Sequence, residues 1–151
     1  EFRRVLFRSP RMKYVNKIMV ALLLFISPLA LHASSDKSSP EQIPGSVTVD
    51  VIKAKELFDD GVIFVDVRSD KDWNAGRVPD AEHLDVKTVF TEENLAILVA
   101  NKDDPMVIYC NGHKCQRSAK ATKKSVEWGY TNVYYFRDGF PAWKSEDNPV
   151  E

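Results

Sequence analysis

Two cysteines stand five positions apart in a polar stretch that follows a short apolar run. Met106–Tyr109 is apolar and leads directly to Cys110, and Cys115 follows among Asn, Gly, His, Lys, Gln and Arg residues. The thiolate is the reactive form of cysteine, and cations, loop amides and helix N-termini stabilise it. Cysteine chemistry is therefore the first function that the sequence indicates.

The surroundings of Cys110 favour a nucleophile over a structural thiol. Lys114 and Arg117 supply positive charge, and a helix is predicted to begin near Ser118. Such surroundings bring the pKa of a cysteine from about 8.5 down to roughly 3.5–7.5. A disulfide closing so small a loop as Cys110–Cys115 would restrain the unfolded chain little, so stability is a weak reason for the pair.

We expect neither a metal nor an organic cofactor. A structural zinc ion takes four nitrogen or sulfur ligands. After residue 33, only His83 and His113 are available to join the two cysteines, which makes a zinc site improbable.

Alternating apolar runs and polar breaks predict an α/β fold around a mainly parallel sheet. Strands are predicted at residues 47–49, 62–67, 81–86, 105–109 and 133–136. Helices are predicted at residues 51–60, 92–100 and 118–128, with helical turns near Trp73 and at 141–144. Cys110 then follows a buried strand, at the sheet edge where open α/β folds bind ligands.

The first 33 residues are predicted to lie outside the folded domain. Residues 1–11 are interpreted as a non-native leader, because residues 1–9 read as the in-frame translation of a sequencing adapter. Residues 12–33 are predicted to be a signal peptide, with two lysines, an apolar run of 14 residues and a cleavage position at Ala33. The run is shorter than the roughly 20 residues that span a bilayer. We expect export to a bacterial periplasm, and membrane attachment only if this segment stays uncleaved.

The remaining chain is predicted to comprise a flexible leader over residues 34–45, rich in Ser, Pro and charge, and one domain over residues 46–148. Beyond residue 33 the chain retains 15 of its 21 Lys and Arg residues and 21 of its 22 Asp and Glu residues, a formal charge of −6. Nucleic-acid binders normally carry a basic patch or stripe. We therefore expect no nucleic-acid partner.

Four motifs occur in order between about residues 45 and 146. They are FVDVR at 64–68 with DW at 72–73, GRVPDA at 76–81, the stretch from Cys110 to Ser118, and GYTNV at 129–133 with DGFPAW at 138–143. Together these motifs resemble the rhodanese (sulfurtransferase) family. One motif alone would be weak, but four in the right order and spacing are specific.

The resemblance implies a three-layer rhodanese-like α/β fold and a persulfide relay. Cys110 would take the outer sulfur of a small anionic donor such as thiosulfate and pass it to a cyanide-like acceptor or a thiol, including that of a partner protein. Asp66 and Arg68 would support the loop by hydrogen bonds and charge pairing. The donor and the persulfide would be held by Asn111, Gly112, His113, Lys114, Gln116, Arg117 and Ser118.

The loop departs from the common family pattern in length. Six residues separate Cys110 from Arg117, where a common family loop has four. In the second motif Arg77 and Asp80 stand where the family usually has His and Gly. These departures leave the identity of the donor open.

Several alternatives to simple sulfur transfer remain. Phosphatases with a related fold need Arg at position 116, which is Gln116 here, so phosphatase activity is not expected. Cys115 could instead attack a Cys110 persulfide, releasing sulfide and leaving a disulfide. The pair could also act as a thiol–disulfide exchanger without sulfane sulfur, or the domain could be a non-catalytic binding module.

Overall fold

Ten elements follow one another in residues 38–151, the part of the chain described by the structure, a computed structural model. They are β1 (Val47–Val49), α1 (Val51–Asp59), β2 (Ile63–Asp66), α2 (Asp70–Asn74), β3 (Glu82–His83), α3 (Glu92–Leu98), β4 (Met106–Tyr109), α4 (Arg117–Glu127), β5 (Val133–Phe136) and α5 (Gly139–Ser145). None of the helices described is long and apolar enough to cross a membrane. The predicted non-native leader and signal peptide lie outside the described residues.

Side-chain caps set the starts of three helices. Asp50, Ser69 and Thr91 each accept a hydrogen bond from a backbone amide in the first turn of α1, α2 and α3. Short polar side chains are favoured there because they satisfy amides that have no partner inside the helix. The Thr91 cap places the start of α3 at residue 92, where the sequence predicted it.

The five strands form one sheet in the order β1-β5-β4-β2-β3, and every pair is parallel. The predicted parallel sheet is thus confirmed. β4 is the central strand, and all four of its residues are buried. Since parallel strands end at the same edge, the segments after β2, β4 and β5 meet beside Cys110.

Helices cover both faces of the sheet, which gives the predicted three layers. Successive strand residues point to opposite faces, so Val65 and Ile108 pack against α3 and α4 while their neighbours Phe64 and Val107 pack against α1 and α5. Burial on both faces explains why β2 and β4 are continuous apolar runs instead of alternating ones.

Residues 38–45 pack against the domain, which differs from the flexible leader that their composition indicated. The amide of Ser39 donates to the carbonyl of His113 at 2.6 Å, and the Arg137 guanidinium donates to the Ser39 carbonyl at 2.8 Å. Ile43 is buried against α4 and β5. The contacts come from distant parts of the chain, so the composition of this segment alone could not reveal them.

A substitution at Thr122, in the middle of α4, tests how this helix packs on the sheet. Its side chain is fully buried, and its hydroxyl has no hydrogen-bond partner within residues 38–151. An unsatisfied buried hydroxyl costs about 1–3 kcal/mol. We expect Thr122→Val to raise the free energy of unfolding by about 1 kcal/mol in urea denaturation.

Thr131→Val is the matched control, because the exposed Thr131 hydroxyl donates to Asp103 at 2.7 Å. That substitution should lower the free energy of unfolding by about 0.5 kcal/mol. A loss of stability in Thr122→Val as large as in the control would show that the Thr122 hydroxyl has a partner.

Candidate active site

Cys110 lies directly after β4, at the carboxyl edge of the sheet and on its central strand. Its side chain is buried, and its sulfur is 3.0 Å from the Ser118 hydroxyl and 3.5 Å from the carbonyl oxygen of Cys115. Ser118 is itself buried in the first turn of α4. The strand end and the start of the helix therefore hold the Cys110 sulfur from two sides.

A close backbone approach fixes the start of the loop after Cys110. The amide of Phe140 donates to the Cys110 carbonyl at 2.9 Å. Gly139 has a φ of 63°, and a Cβ at this position would lie 2.2 Å from the same carbonyl oxygen. Only glycine allows α5 to begin so close to the end of β4.

Cys115 is brought back towards Cys110 by a turn. Its amide donates to the Gly112 carbonyl at 2.9 Å. Its sulfur accepts a hydrogen bond from the Cys110 thiol and others from the backbone amides of Asn111 and Arg117. These bonds, together with the nearby Arg117 charge, lower the pKa of Cys115 to about 6 although partial burial opposes them. These contacts favour the thiolate form of Cys115.

The pKa of Cys110 is shifted in the opposite direction to that of Cys115. The hydrogen bond to Cys115, burial, and the negative charge of Cys115 all raise the pKa of Cys110, while the Ser118 hydroxyl acts in the opposite direction. The sequence indicated a lowered pKa in this loop and attached it to Cys110. In the reduced resting state the structure assigns it to Cys115, because the loop amides point at that sulfur.

Arg117 and His113 already have carboxylate partners. Arg117 donates to the carboxylate of Asp85 at 2.7 Å, and His113 contacts the carboxylate of Asp138. Lys114 is exposed and has no ion pair within residues 38–151. Of the two cations expected to bind an anionic donor, Lys114 is therefore the one left without a carboxylate partner.

The other predicted loop residues border the same two sulfurs. Asn111 is exposed and follows Cys110, Gly112 is buried in the turn, and Gln116 immediately precedes α4. Gly112 has a φ of 89°, and a Cβ there would lie 3.1 Å from the Asp138 carbonyl oxygen.

Among the described residues, no group of three His, Cys, Asp or Glu side chains is placed to hold a metal ion.

Asp66 and Arg68 form a buried ion pair next to the loop. Two guanidinium nitrogens of Arg68 donate to the Asp66 carboxylate at 2.6–3.0 Å, and one of them also donates to the Gly76 carbonyl at 2.7 Å. A third nitrogen is 3.4 Å from the Asn111 side-chain oxygen. The guanidinium lies 4.5 Å from the centre of the Phe140 ring. Arg68 thus connects the ends of β2 and β4 with the start of α5.

An open groove of about 560 Å³ lies beside the loop. It is lined by Asn111, Gly112, His113, Lys114, Asp138, Pro141, Ala142 and Ser145. Neither cysteine belongs to its lining. The groove gives molecules in solution a path to the exposed side of the loop.

Sequence reasoning missed the residues that hold this loop from outside. Asp85 pairs with Arg117, Asp138 with His113, and the Phe140 amide with the Cys110 carbonyl. Asp138 and Phe140 belong to the fourth motif, which indicated the family but not what either residue contacts. Asp85 follows the two-residue strand β3, and nothing in its local sequence connects it with residue 117.

A buried cysteine at the carboxyl edge of a parallel sheet, followed by a loop and a helix, lies where open α/β folds bind ligands. Residues 50–146 match the sequence profile of the Rhodanese-like domain. The chain therefore belongs to the rhodanese-like domain family.

Relatives with known names agree with this assignment. The thiosulfate sulfurtransferase GlpE of Pseudomonas savastanoi pv. phaseolicola is 30% identical over 93 residues, which cover 62% of this chain and 82% of the relative. Rhodanese-like domain-containing protein 17 of Arabidopsis thaliana is 28% identical over 140 residues, 86% of each chain. The structure of a human single-domain sulfurtransferase has a TM-score of 0.56 at 22% identity, covering 66% of this chain and 96% of the human one. The last comparison shows the fold alone.

Gly139→Ala tests the close approach behind Cys110, with Gly61→Ala as its matched control. Gly61 also has a positive φ, 76°, but a Cβ there would meet nothing within 4 Å. We expect Gly61→Ala to cost about 1–2 kcal/mol of stability, from backbone strain alone. Gly139→Ala should cost about 3 kcal/mol or more, because its Cβ also collides with backbone atoms. Equal losses in urea denaturation would contradict the close approach.

Alkylation of the reduced protein tests the ionisation of Cys115. Only the thiolate reacts, so we expect the rate of iodoacetamide modification at Cys115 to rise with pH around a midpoint of about 6. In Cys110→Ala the thiol donor is lost and the midpoint should move upward. Peptide mass spectrometry identifies the modified cysteine. A midpoint near the ordinary value of about 8.5 in the unsubstituted protein would contradict the assignment.

Proposed function

We propose that this chain is a sulfurtransferase that carries sulfane sulfur as a persulfide on Cys110. The observation that supports it most directly is the position of the Cys110 sulfur, at the end of the central strand and 3.0 Å from the Ser118 hydroxyl. Family membership adds to this, because the relative from Pseudomonas savastanoi is named a thiosulfate sulfurtransferase.

The two thiols together supply the nucleophile. The Cys115 thiolate accepts the proton of the Cys110 thiol through the hydrogen bond between them. The Cys110 thiolate then attacks the outer sulfur of thiosulfate, the bond between the two thiosulfate sulfurs breaks, and sulfite leaves with that electron pair. Cys110 now carries the persulfide, and Cys115 holds the proton. Hydrogen bonds to the charged sulfur, from Ser118 and from loop amides, stabilise it in the water-poor site.

The donor and the acceptor approach from the exposed side of the loop. Lys114 attracts the anionic donor, because its ammonium group is exposed and is not neutralised by a carboxylate within the described residues. The acceptor is a thiol, of a small molecule or a partner protein, or a cyanide-like nucleophile. It attacks the outer sulfur of the persulfide and regenerates the Cys110 thiolate.

A second candidate function is thiol–disulfide exchange without sulfane sulfur. The observation that favours it is the contact between the Cys110 and Cys115 sulfurs, with a lowered pKa on Cys115. A thiol with a pKa near the ambient pH is the best attacking group in such exchange. This function differs from the first because it needs a disulfide substrate and releases no sulfite from thiosulfate.

We propose that the reaction takes place in the bacterial periplasm. Support comes from the sequence of residues 12–33, with its basic start, apolar run and Ala33 cleavage position. The net negative charge beyond residue 33 is consistent with small-molecule and protein-thiol partners, whereas nucleic-acid binders normally carry a basic patch or stripe.

Sulfite release from thiosulfate tests the proposed function. The fully reduced protein, freed of reductant, is mixed with thiosulfate and cyanide, and both sulfite and thiocyanate are measured. We expect Cys110-dependent formation of sulfite, and of thiocyanate where cyanide intercepts the persulfide, with both products reduced by at least about 100-fold in Cys110→Ser, because the serine hydroxyl is a far weaker nucleophile at neutral pH.

Ser145→Ala is the matched control, since this exposed residue lines the groove and its hydroxyl contacts only the backbone of its own helix among the contacts described. Its turnover should stay within about twofold of the unsubstituted protein. Unchanged turnover in Cys110→Ser would contradict the proposal. Disulfide reduction without any sulfite would establish the second candidate in its place.

A further inference from the structure

The Cys115 sulfur is in contact with one particular atom of Cys110. The Cys110 sulfur lies 3.5 Å from the Cys115 carbonyl oxygen, and the Cys115 side chain packs against the same buried cluster as Cys110, close enough for a hydrogen bond between the two side chains to raise the pKa of Cys110. When Cys110 carries a persulfide, that atom is the inner sulfur. A nucleophile at Cys115 is therefore positioned to break the persulfide instead of accepting its outer sulfur.

We propose that Cys115 is a resolving cysteine, which turns the Cys110 persulfide into sulfide and a Cys110–Cys115 disulfide. The inference rests on the proposed function, because it starts from the loaded Cys110. The Cys115 sulfur attacks the inner sulfur of Cys110, and a bond forms between the two cysteine sulfurs. The bond to the outer sulfur breaks, and that sulfur leaves with the electron pair and takes the Cys115 proton as hydrosulfide. The sulfane sulfur is reduced by two electrons, and the two thiols are oxidised by two.

The charges around Cys115 suit this role. The amides of Asn111 and Arg117 that hold its sulfur, and the nearby guanidinium, favour the thiolate and bring the pKa of Cys115 to about 6. Attack on sulfur is fastest when the attacking thiol has a pKa near the ambient pH and the leaving group is a weak base. Hydrosulfide is a weaker base than an alkyl thiolate, so it is a good leaving group.

Cys115 lies on a segment that belongs to no helix or strand. Residues 111–116 lie between β4 and α4 and belong to neither element. Cys110 is anchored by the Phe140 amide, whereas Cys115 lies on the turn closed by its own amide and the Gly112 carbonyl. Formation of the disulfide therefore displaces Cys115 and leaves the end of β4 in place.

The cycle then needs a second substrate, a dithiol reductant. It would reduce the Cys110–Cys115 disulfide and be oxidised to its own disulfide. Cys110 is buried and Cys115 is partly exposed, so access favours attack on the Cys115 sulfur. The overall reaction is reduction of sulfane sulfur to sulfide by a dithiol, with sulfite as the other product when thiosulfate is the donor.

A single-turnover experiment tests this inference. Reduced full-length protein, freed of all small thiols, is mixed with thiosulfate, and sulfite, sulfide, free thiols and intact mass are measured. We expect about one sulfite and one sulfide per chain, loss of both thiols, and no retained sulfur, since each chain holds one dithiol. A second equal burst should follow reduction with dithiothreitol and removal of that reagent.

Cys115→Ser separates the two proposals. Without Cys115, its hydrogen bond and its negative charge no longer raise the pKa of Cys110, while burial still does, so loading of this variant is measured at mildly alkaline pH. We expect sulfite release, one sulfur atom retained on Cys110, and no sulfide. Sulfite without sulfide in the unsubstituted protein, or equal sulfide release by Cys115→Ser, would overturn the resolving role and leave the sulfurtransferase proposal intact. Absence of sulfite from both proteins would overturn both proposals.

Discussion

The backbone contact between Cys110 and the start of α5 is the constraint on which the site depends. The Cys110 carbonyl accepts the Phe140 amide at 2.9 Å, and Gly139 lies too close to that carbonyl for any side chain. The contact fixes the direction in which the chain leaves β4. Gly112 is held against the Asp138 backbone in the same way, so the first residues of the loop are set by α5 and not by their own sequence.

Hydrogen bonds, more than surplus positive charge, determine the chemistry of the two thiols. Arg68 is neutralised by Asp66 and Arg117 by Asp85. What remains close to the sulfurs is a set of donors, namely the Ser118 hydroxyl and two loop amides. Fixed dipoles stabilise a sulfur anion in a buried site without reorganisation. A site that uses dipoles in place of unpaired cations does not need a highly charged substrate to balance its charge.

The fold could be predicted from the sequence because each element has a strong local signal. β2 and β4 are short apolar runs between polar segments, Thr91 is a good N-cap, and Gly61 follows the end of α1. Such signals act within a few residues. The position of residues 38–45 could not be predicted, because Ser39 is held by His113 and Arg137, which are distant in sequence.

The site could be predicted only in part, for the same reason. The loop from Cys110 to Ser118 was found from its residue types and from the family motifs. The pairing of Arg117 with Asp85 depends on the position of β3 beside β2, and spacing along the chain does not encode it. Asp80 has a φ of 55°, which explains why a glycine is usual in the family there. Aspartate at this φ adds backbone strain in the second motif.

The longer loop gives this chain a second sulfur at the site. Six residues between Cys110 and Arg117, where a common family loop has four, leave space for a turn that returns Cys115 to Cys110. The amides of Asn111 and Arg117, which would otherwise be open to a bound anion, are used by the Cys115 sulfur. Under the proposed function, a donor anion would compete with Cys115 for these amides. While a donor holds them, the pKa of Cys115 would rise and its sulfur would keep its proton. Attack on the adjacent sulfur would then follow the departure of sulfite, when the amides return to Cys115 and favour its thiolate.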